Sequence, residues 1–505
     1  MKSLLCYCLA ICFLLGVCNH PLGAQPPVQS WVSSADMSKK LAAEKPRPFA
    51  PGRSAAQTVI RVDPQRRFQS ILGLGASLEH STCYNISRLP KRRQEEVVLS
   101  LVDPEKGIGM SLMRICIGTP DFTASPWYSY DDMPPGQTDP EMKHFSIEKD
   151  REYVLPILKL AQQKNPDLVF FASPWSPPAW MKTNGTLCGG RIDPQHFRSF
   201  ARYLAGFVKA YEAEGFDIHA ITPQNEPEFF PNSYPTCGWN PVQQRDFIRD
   251  HLGPEFRAQG IATKIWCFDH NFNNPGFPTT ILSDPRAAQY IDGTGFHHYE
   301  GEPRAMTAVH ERFPDKHVYF SEGSVFDMEG AAQIIAFLRN WARSYNAWVI
   351  IIDHRGQPNP GPHDCSPTCI VLNSDDLTLD YRFDYYMYGQ FMKFIRPGAV
   401  RIQSSPSSKQ LPNVAVQHPD GTIALVVANL KTAPVAFDIE CDNRHLTAKT
   451  DGNSVATYVW PARCEVPSHP SSASSTRSQS FRSAGSNDCG DLLTSPASSQ
   501  PPVRG

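Results

Sequence analysis

Between residues 71 and 396 the chain repeats one unit eight times: a short apolar, β-branched or aromatic run, a polar loop, then a helix-like stretch. The runs fall at Ile71–Ala76, Leu112–Ile117, Leu168–Ser173, His219–Gln224, Thr263–Phe268, Gly293–His298, His317–Glu322 and Ala347–Ile352. Runs that are apolar throughout belong to strands covered on both faces, and strands separated by amphipathic segments such as Gln195–Glu214 and Gly330–Arg343 pair in parallel. Eight such units predict an α/β fold, a (β/α)8 barrel with inserted loops. An open doubly wound sheet is the alternative, but it rarely needs eight strands of this kind.

After Arg396-Pro397-Gly398 the period changes. Val414–Gln417, Thr422–Asn429, Val435–Ile439 and Ser454–Val459 read as strands, with Pro419-Asp420-Gly421 as a turn. They predict a small all-β, sandwich-like domain, formed mainly by the C-terminal region and joined by a strand at Thr58–Val62. The expected order is therefore a leader over residues 1–24, a polar Pro-rich linker over 25–55, a strand segment over 56–70, the barrel over 71–396, the β domain over 397–464 and a Ser/Pro-rich disordered tail over 465–505.

The leader begins Met1-Lys2, continues as an apolar run from Leu4 to Cys18 and ends Leu22-Gly23-Ala24. A basic start, a short apolar stretch and a small-residue exit make a secretory signal, with cleavage expected after Ala24. The run is too short for a stable membrane span, and no later stretch is long enough for one. A secreted or periplasmic protein follows. Four of the 14 cysteines lie in the leader; in an oxidising compartment Cys365 with Cys369, and Cys441 with Cys464, are candidate bridges, and buried free thiols are the equal alternative. With 48 basic and 50 acidic residues, net charge −2, nothing favours an electrostatic hold on nucleic acid.

A barrel of this type carries its chemistry at the carboxyl ends of its strands. The fourth run leads into Pro223-Gln224-Asn225-Glu226-Pro227 and the seventh ends Phe320-Ser321-Glu322-Gly323. A carboxylate directly after an apolar strand is costly to bury without a partner or a task. Two of them, on different strands, suit glycoside cleavage, in which one carboxyl must be protonated while the other is ionised. The bland reading is two loop glutamates facing solvent. The third run opens into Ser173-Pro174-Trp175-Ser176-Pro177-Pro178-Ala179-Trp180, where Trp175 and Trp180 are candidate sugar platforms or rim packing. Asp121 follows the second run and is a candidate acceptor of sugar hydroxyls or a cap. His297 and His298 end the sixth. Neighbouring strand residues point to opposite faces, so one histidine bonded to a carboxylate or a hydroxyl is expected rather than a metal pair.

These residues sit in motifs that resemble glycoside hydrolase family 30, in its glucosylceramidase branch: Gly107-Ile108-Gly109 leading to Met113-Arg114, Ala172 through Gly185, Gln224-Asn225-Glu226-Pro227, Gln244 through Ile248, Asp284-Pro285 and Phe320-Ser321-Glu322. The resemblance runs from about Phe68 to Ala462. It implies a barrel plus a small β domain built from both chain ends, and a retaining mechanism. Glu226 matches the acid/base, Glu322 the nucleophile and Asn225 the contact to the sugar 2-hydroxyl; Asp121, Trp175, His297, Tyr299 and Trp348 match residues lining the glucose subsite. The expected activity is glucosylceramidase or β-glucosidase type, on a β-glucoside, a glucosylated lipid or a β-glucan, without metal or organic cofactor. An endo-β-1,6-glucanase is the alternative within the family. A glycan-binding module that lost its chemistry, or an adhesion module carried by the tail, are the alternatives outside enzymes.

Overall fold

A computed structural model of the protein describes residues 26–364, 368–406 and 409–462. The leader, the Ser/Pro-rich tail, Cys365 and Cys464 lie outside the described residues, so both candidate bridges do too. Among the described residues no helix is long and apolar enough to cross a membrane.

Eight strands form one sheet: β1 (Gly73–Ser77), β2 (Leu112–Ile117), β3 (Val169–Pro174), β4 (Ile218–Ile221), β5 (Lys264–Asn271), β6 (Ile291–His297), β7 (His317–Glu322) and β8 (Ser344–Ala347). Successive strands pair in parallel, and β8 pairs with β1 from Ser344↔Gly73 to Ala347↔Ala76. Arg343 N–H donates to Val318 O (2.9 Å) and Gly323 N–H to Asn346 O (3.0 Å), which lays β8 along β7 and closes the ring. The helices Phe197–Ala213 and Asp327–Arg339 lie where the amphipathic pattern places helices.

The barrel interior is built in two layers by the strand period of two. Leu112, Phe171, Ala220, Trp266 and Tyr319 form an apolar plug, with Trp266 stacked on Tyr319 at 3.8 Å. Two residues further along β2, β3 and β7, and just past β4, stand Arg114, Ser173, Ser321 and Thr222, all buried. An apolar floor thus carries a polar layer at the carboxyl end.

Two expectations are corrected. The eighth barrel strand is Ser344–Ala347, not Ala347–Ile352. The apolar run instead places Ile351–Asp353 in a separate three-stranded sheet with Ile370–Leu372 and Leu379–Tyr381. The barrel takes the more polar segment because Asn346 is satisfied inside it, accepting from Ser77 Oγ at 3.0 Å. Residues 25–55 are not a linker throughout. Gln29–Ser34 is a strand paired antiparallel with Ser454–Pro461, and Ala42–Ala43 and Ala50–Pro51 add further short strands. A segment near a sheet edge needs few apolar residues, and here Val28 and Val32 supply the buried side chains.

The second domain is a ten-stranded sheet that takes both ends of the described chain. Val59–Ser70 runs parallel to Val435–Cys441 and antiparallel to Val400–Ser404. Val400–Ser404 and Arg444–Thr450 are strands with no counterpart in the sequence reading; the second alternates polar with short apolar residues between two turns.

Because Val32 is 3% exposed in that core, Val32→Asp should cost about 3 kcal/mol of stability, from lost burial plus a buried carboxyl. The thermal unfolding midpoint measures this; an unchanged midpoint would mean the segment contributes nothing to the domain.

Candidate active site

The carboxyl ends of the strands surround a cleft of about 430 Å³, within the range that holds a drug-sized ligand. Asp121, Trp175, Asn225, Glu226, Tyr299, Glu322 and Trp348 line it. His297 stands behind the two glutamates. Trp180 is elsewhere: its Nε1–H donates to Asp131 O and Oδ2, both at 3.1 Å, and its ring lies against His196.

Glu226 and Glu322 face one another. One oxygen of each and a ring nitrogen of His297 all lie within 4.8 Å of one another. Retaining glycosidases hold their carboxyl groups about 5–5.5 Å apart, and inverting enzymes about 6.5–9.5 Å. Glu322 is fixed on two sides, by Arg114 Nη1 on Oε2 and by the Tyr299 hydroxyl, which donates to Oε1 at 2.8 Å. Glu226 has φ +48°, a left-handed conformation for a residue with a side chain; such strain persists only where the surroundings impose it. Here Glu226 N–H donates to Asp269 O at 3.0 Å.

Asp269 is the hub of the site. Its Oδ2 accepts from Arg114 Nη2 (2.8 Å), Ser173 Oγ (2.8 Å) and Thr222 Oγ1 (2.7 Å), and its Oδ1 from Ser321 Oγ (2.6 Å) and His297 Nε2 (3.1 Å). The other face of His297 presents Nδ1 to Glu226 Oε1 at 3.2 Å. Both ring nitrogens face carboxyl groups: the imidazolium donates to both, and the neutral ring donates to Asp269 and accepts from a protonated Glu226, so one proton is shared between His297 and Glu226. Neither form leaves a nitrogen lone pair free for a metal ion. Arg114 Nη2 also donates to Asn225 Oδ1 at 2.9 Å, which leaves the Asn225 NH2 group to donate to a ligand.

Trp175 and Trp348 stack on each other, centroids 4.8 Å apart, with the Arg114 guanidinium 4.8 Å from the Trp175 ring. They form the wall of the deep end, where Asp121 Oδ1 is buried without a hydrogen-bond partner among the described residues. A buried acceptor left unmatched by protein is matched by a ligand, a water or a proton.

Residues 71–395 match the model of the glycosyl hydrolase family 30 TIM-barrel domain, and residues 398–458 that of the family's β-sandwich domain. The chain belongs to glycoside hydrolase family 30. It is 32% identical to an endo-1,6-β-D-glucanase of Neurospora crassa over 464 residues, which is 86% of this chain and 95% of that protein. It is 28% identical to the lysosomal acid glucosylceramidase of Mus musculus over 440 residues, 81% and 84% of the two chains. The solved structure of an endo-β1,6-glucanase superposes with a TM-score of 0.80 at 28% identity, covering 86% of this chain and all of that one. Like the rest of family 30, the protein is therefore a glycoside hydrolase.

Sequence reasoning overlooked the hub of this family 30 site. Arg114 was legible as a lone cation in an apolar strand. Asp269 was not. Strand alternation from Trp266 aims Phe268 inward, but β5 bulges there: its register to β6 shifts between Gly295 and Phe296, and Phe268 and Asp269 have φ +72° and +69°. One extra residue swaps the faces. Phe268 packs outward on Phe277 and Phe296, its N–H held by Gln244 Oε1 at 2.8 Å, and Asp269 turns in.

The buried charges set each other's protonation. Burial alone would raise Asp269, but Arg114 and His297 hold it well below the usual carboxylate range. Burial alone would lower His297, but the charge of Glu322 and the hydrogen bonds to Asp269 and Glu226 raise it above the ordinary histidine value. Burial would also raise Glu226, and the His297 cation outweighs it, so that carboxyl is lowered. Asp121 has no such cation: burial, then the charges of Glu322 and Glu226, push it well above the usual range.

Asp269→Asn removes one of the anions that keep His297 charged, so the histidine should lose its proton at lower pH. The alkaline limb of the kcat/KM profile should move to lower pH and activity at neutral pH should fall on the order of 10²-fold. An alkaline limb in the same place would contradict this reading of the hub.

Proposed function

We propose that the protein is a retaining endo-β-1,6-glucanase. The observation that carries the linkage is the 32% identity to the Neurospora crassa endo-1,6-β-D-glucanase over nearly its whole length, joined by 30% identity to an endo-1,6-β-D-glucanase of Trichoderma harzianum over 423 residues. This favours the alternative within the family over the glucosylceramidase reading. The apolar leader supports action outside the cytoplasm.

A glucosyl unit enters the deep end of the cleft against Trp175 and Trp348, with Asp121 and Asn225 on its hydroxyls. Glu322, oriented by Arg114 and Tyr299, attacks the anomeric carbon. Glu226 gives its proton to the departing glycosidic oxygen, drawing on the proton it shares with His297. Water then enters, Glu226 takes a proton from it, and the glycosyl–Glu322 ester is hydrolysed with net retention. The chemistry needs neither metal nor organic cofactor.

Glu322→Ala should lose at least about 10³-fold in kcat on β-1,6-glucan, and added azide should restore turnover of an activated β-glucoside as the α-glucosyl azide. Near-normal turnover without azide would overturn the assignment of the nucleophile. Wild-type enzyme should release oligosaccharides from β-1,6-glucan; activity on glucosylceramide with none on the glucan would favour the glucosylceramidase reading.

A further inference from the structure

The mouth of the cleft has features that the bond-breaking chemistry does not use. Phe229 is 43% exposed and Tyr299 48%, two of the three large apolar side chains that are open to solvent among the described residues. Both line the same cleft. Tyr299 is engaged with Glu322. Phe229 lies just after the acid/base: its N–H donates to Glu226 O at 3.0 Å, and the tight turn at Glu226 carries its ring to the rim. There it stands 6.0 Å from the His363 ring, which is met edge-on by Tyr234 at 5.4 Å. Phe229 and His363 stand exposed at one side of the mouth, with the buried Tyr234 ring behind His363.

We infer that Phe229, backed by His363 and Tyr234, is the platform for the sugar on the leaving-group side of the scissile bond, the first glucosyl unit of the departing β-1,6-glucan. The inference rests on the proposed endo-glucanase reading and names a site for that substrate. The direction follows from the acid. The leaving oxygen departs towards Glu226, so whatever it is attached to lies on the Glu226 side of the cleft and further out than Asp121 and Trp348. Phe229 is on that side and in that outer position.

The chemistry of the rim selects a sugar over a lipid chain. Glu300 and Asp364 line the same cleft as Phe229 and His363, and Glu228, the neighbour of Phe229 in the chain, accepts from the Asn274 amide at 2.7 Å. One apolar ring face among polar groups suits a pyranose, which offers a C–H face edged with hydroxyls. A ceramide tail needs a continuous apolar surface, and among the described residues the large apolar side chains exposed at the mouth are the rings of Phe229 and Tyr299.

The test compares wild type, Phe229→Ala and Phe229→Trp on a β-1,6-linked glucotriose and on β-glucosyl fluoride, whose leaving group reaches no further than Glu226. Phe229→Ala should lose on the order of tenfold more kcat/KM on the trisaccharide than on the fluoride, mostly through KM. Phe229→Trp, which keeps a flat face, should regain most of that difference. Equal losses on both substrates, or no loss on either, would overturn the platform while leaving the function intact. Wild-type enzyme that hydrolyses the fluoride but not the trisaccharide would overturn the functional reading itself.

Discussion

One buried ion pair organises this molecule. Arg114 and Asp269 are fully enclosed at the top of the barrel and 2.8 Å apart. Neither charge is tolerable there alone, since breaking such a pair by removing one partner costs about 3–5 kcal/mol. The remaining hydrogen-bonding capacity of both is used to hold the machinery. Arg114 reaches Glu322 and Asn225, and Asp269 reaches His297 and, through its main-chain carbonyl, the amide of Glu226. Glu322, Asn225 and His297 are thus one hydrogen bond from the pair, and the Glu226 carboxyl is joined to it through His297. The low-dielectric interior that makes the pair costly also makes its orientation of the carboxylates firm.

The barrel exists in the form it does to support that layer. An apolar plug centred on Trp266 and Tyr319 excludes water from below, and serines and a threonine one pleat higher, at Ser173, Thr222 and Ser321, supply neutral donors that spread the charge of Asp269 without neutralising it. In the proposed reaction the stacked tryptophans and the unmatched acceptor on Asp121 receive the glucosyl unit whose bond is cleaved. The exposed rim beyond Glu226 fits what the ring is attached to.

Much of this was legible in the residues because it follows from short periods. Eight apolar runs located seven barrel strands to within a few residues, and Glu226 and Glu322 were visible as carboxylates where a strand stops. The losses have physical causes. The run Ala347–Ile352 outscored Ser344–Ala347 for apolarity, yet the barrel chose the polar segment because its partners were waiting inside. The strand Gln29–Ser34 hid because its pairing partner lies more than 400 residues away. Asp269 hid because a bulge reversed the alternation that any reading of a strand assumes, and bulges leave no composition behind. The stiff aromatic loop left Trp180 readable as a sugar platform or as rim packing, and its indole N–H is turned to Asp131.

In the proposed reaction two carboxyls act across one sugar-sized cleft and Glu322 carries the sugar. Incubation with 2-deoxy-2-fluoro-β-glucosyl fluoride, followed by proteolysis and mass spectrometry of the labelled peptide, tests it most directly. The prediction is one fluoroglucosyl group per chain, on the peptide containing Glu322, lost when Glu322 is replaced. A label on any other carboxylate, or no accumulating adduct in an enzyme that turns over the parent fluoride, would contradict it.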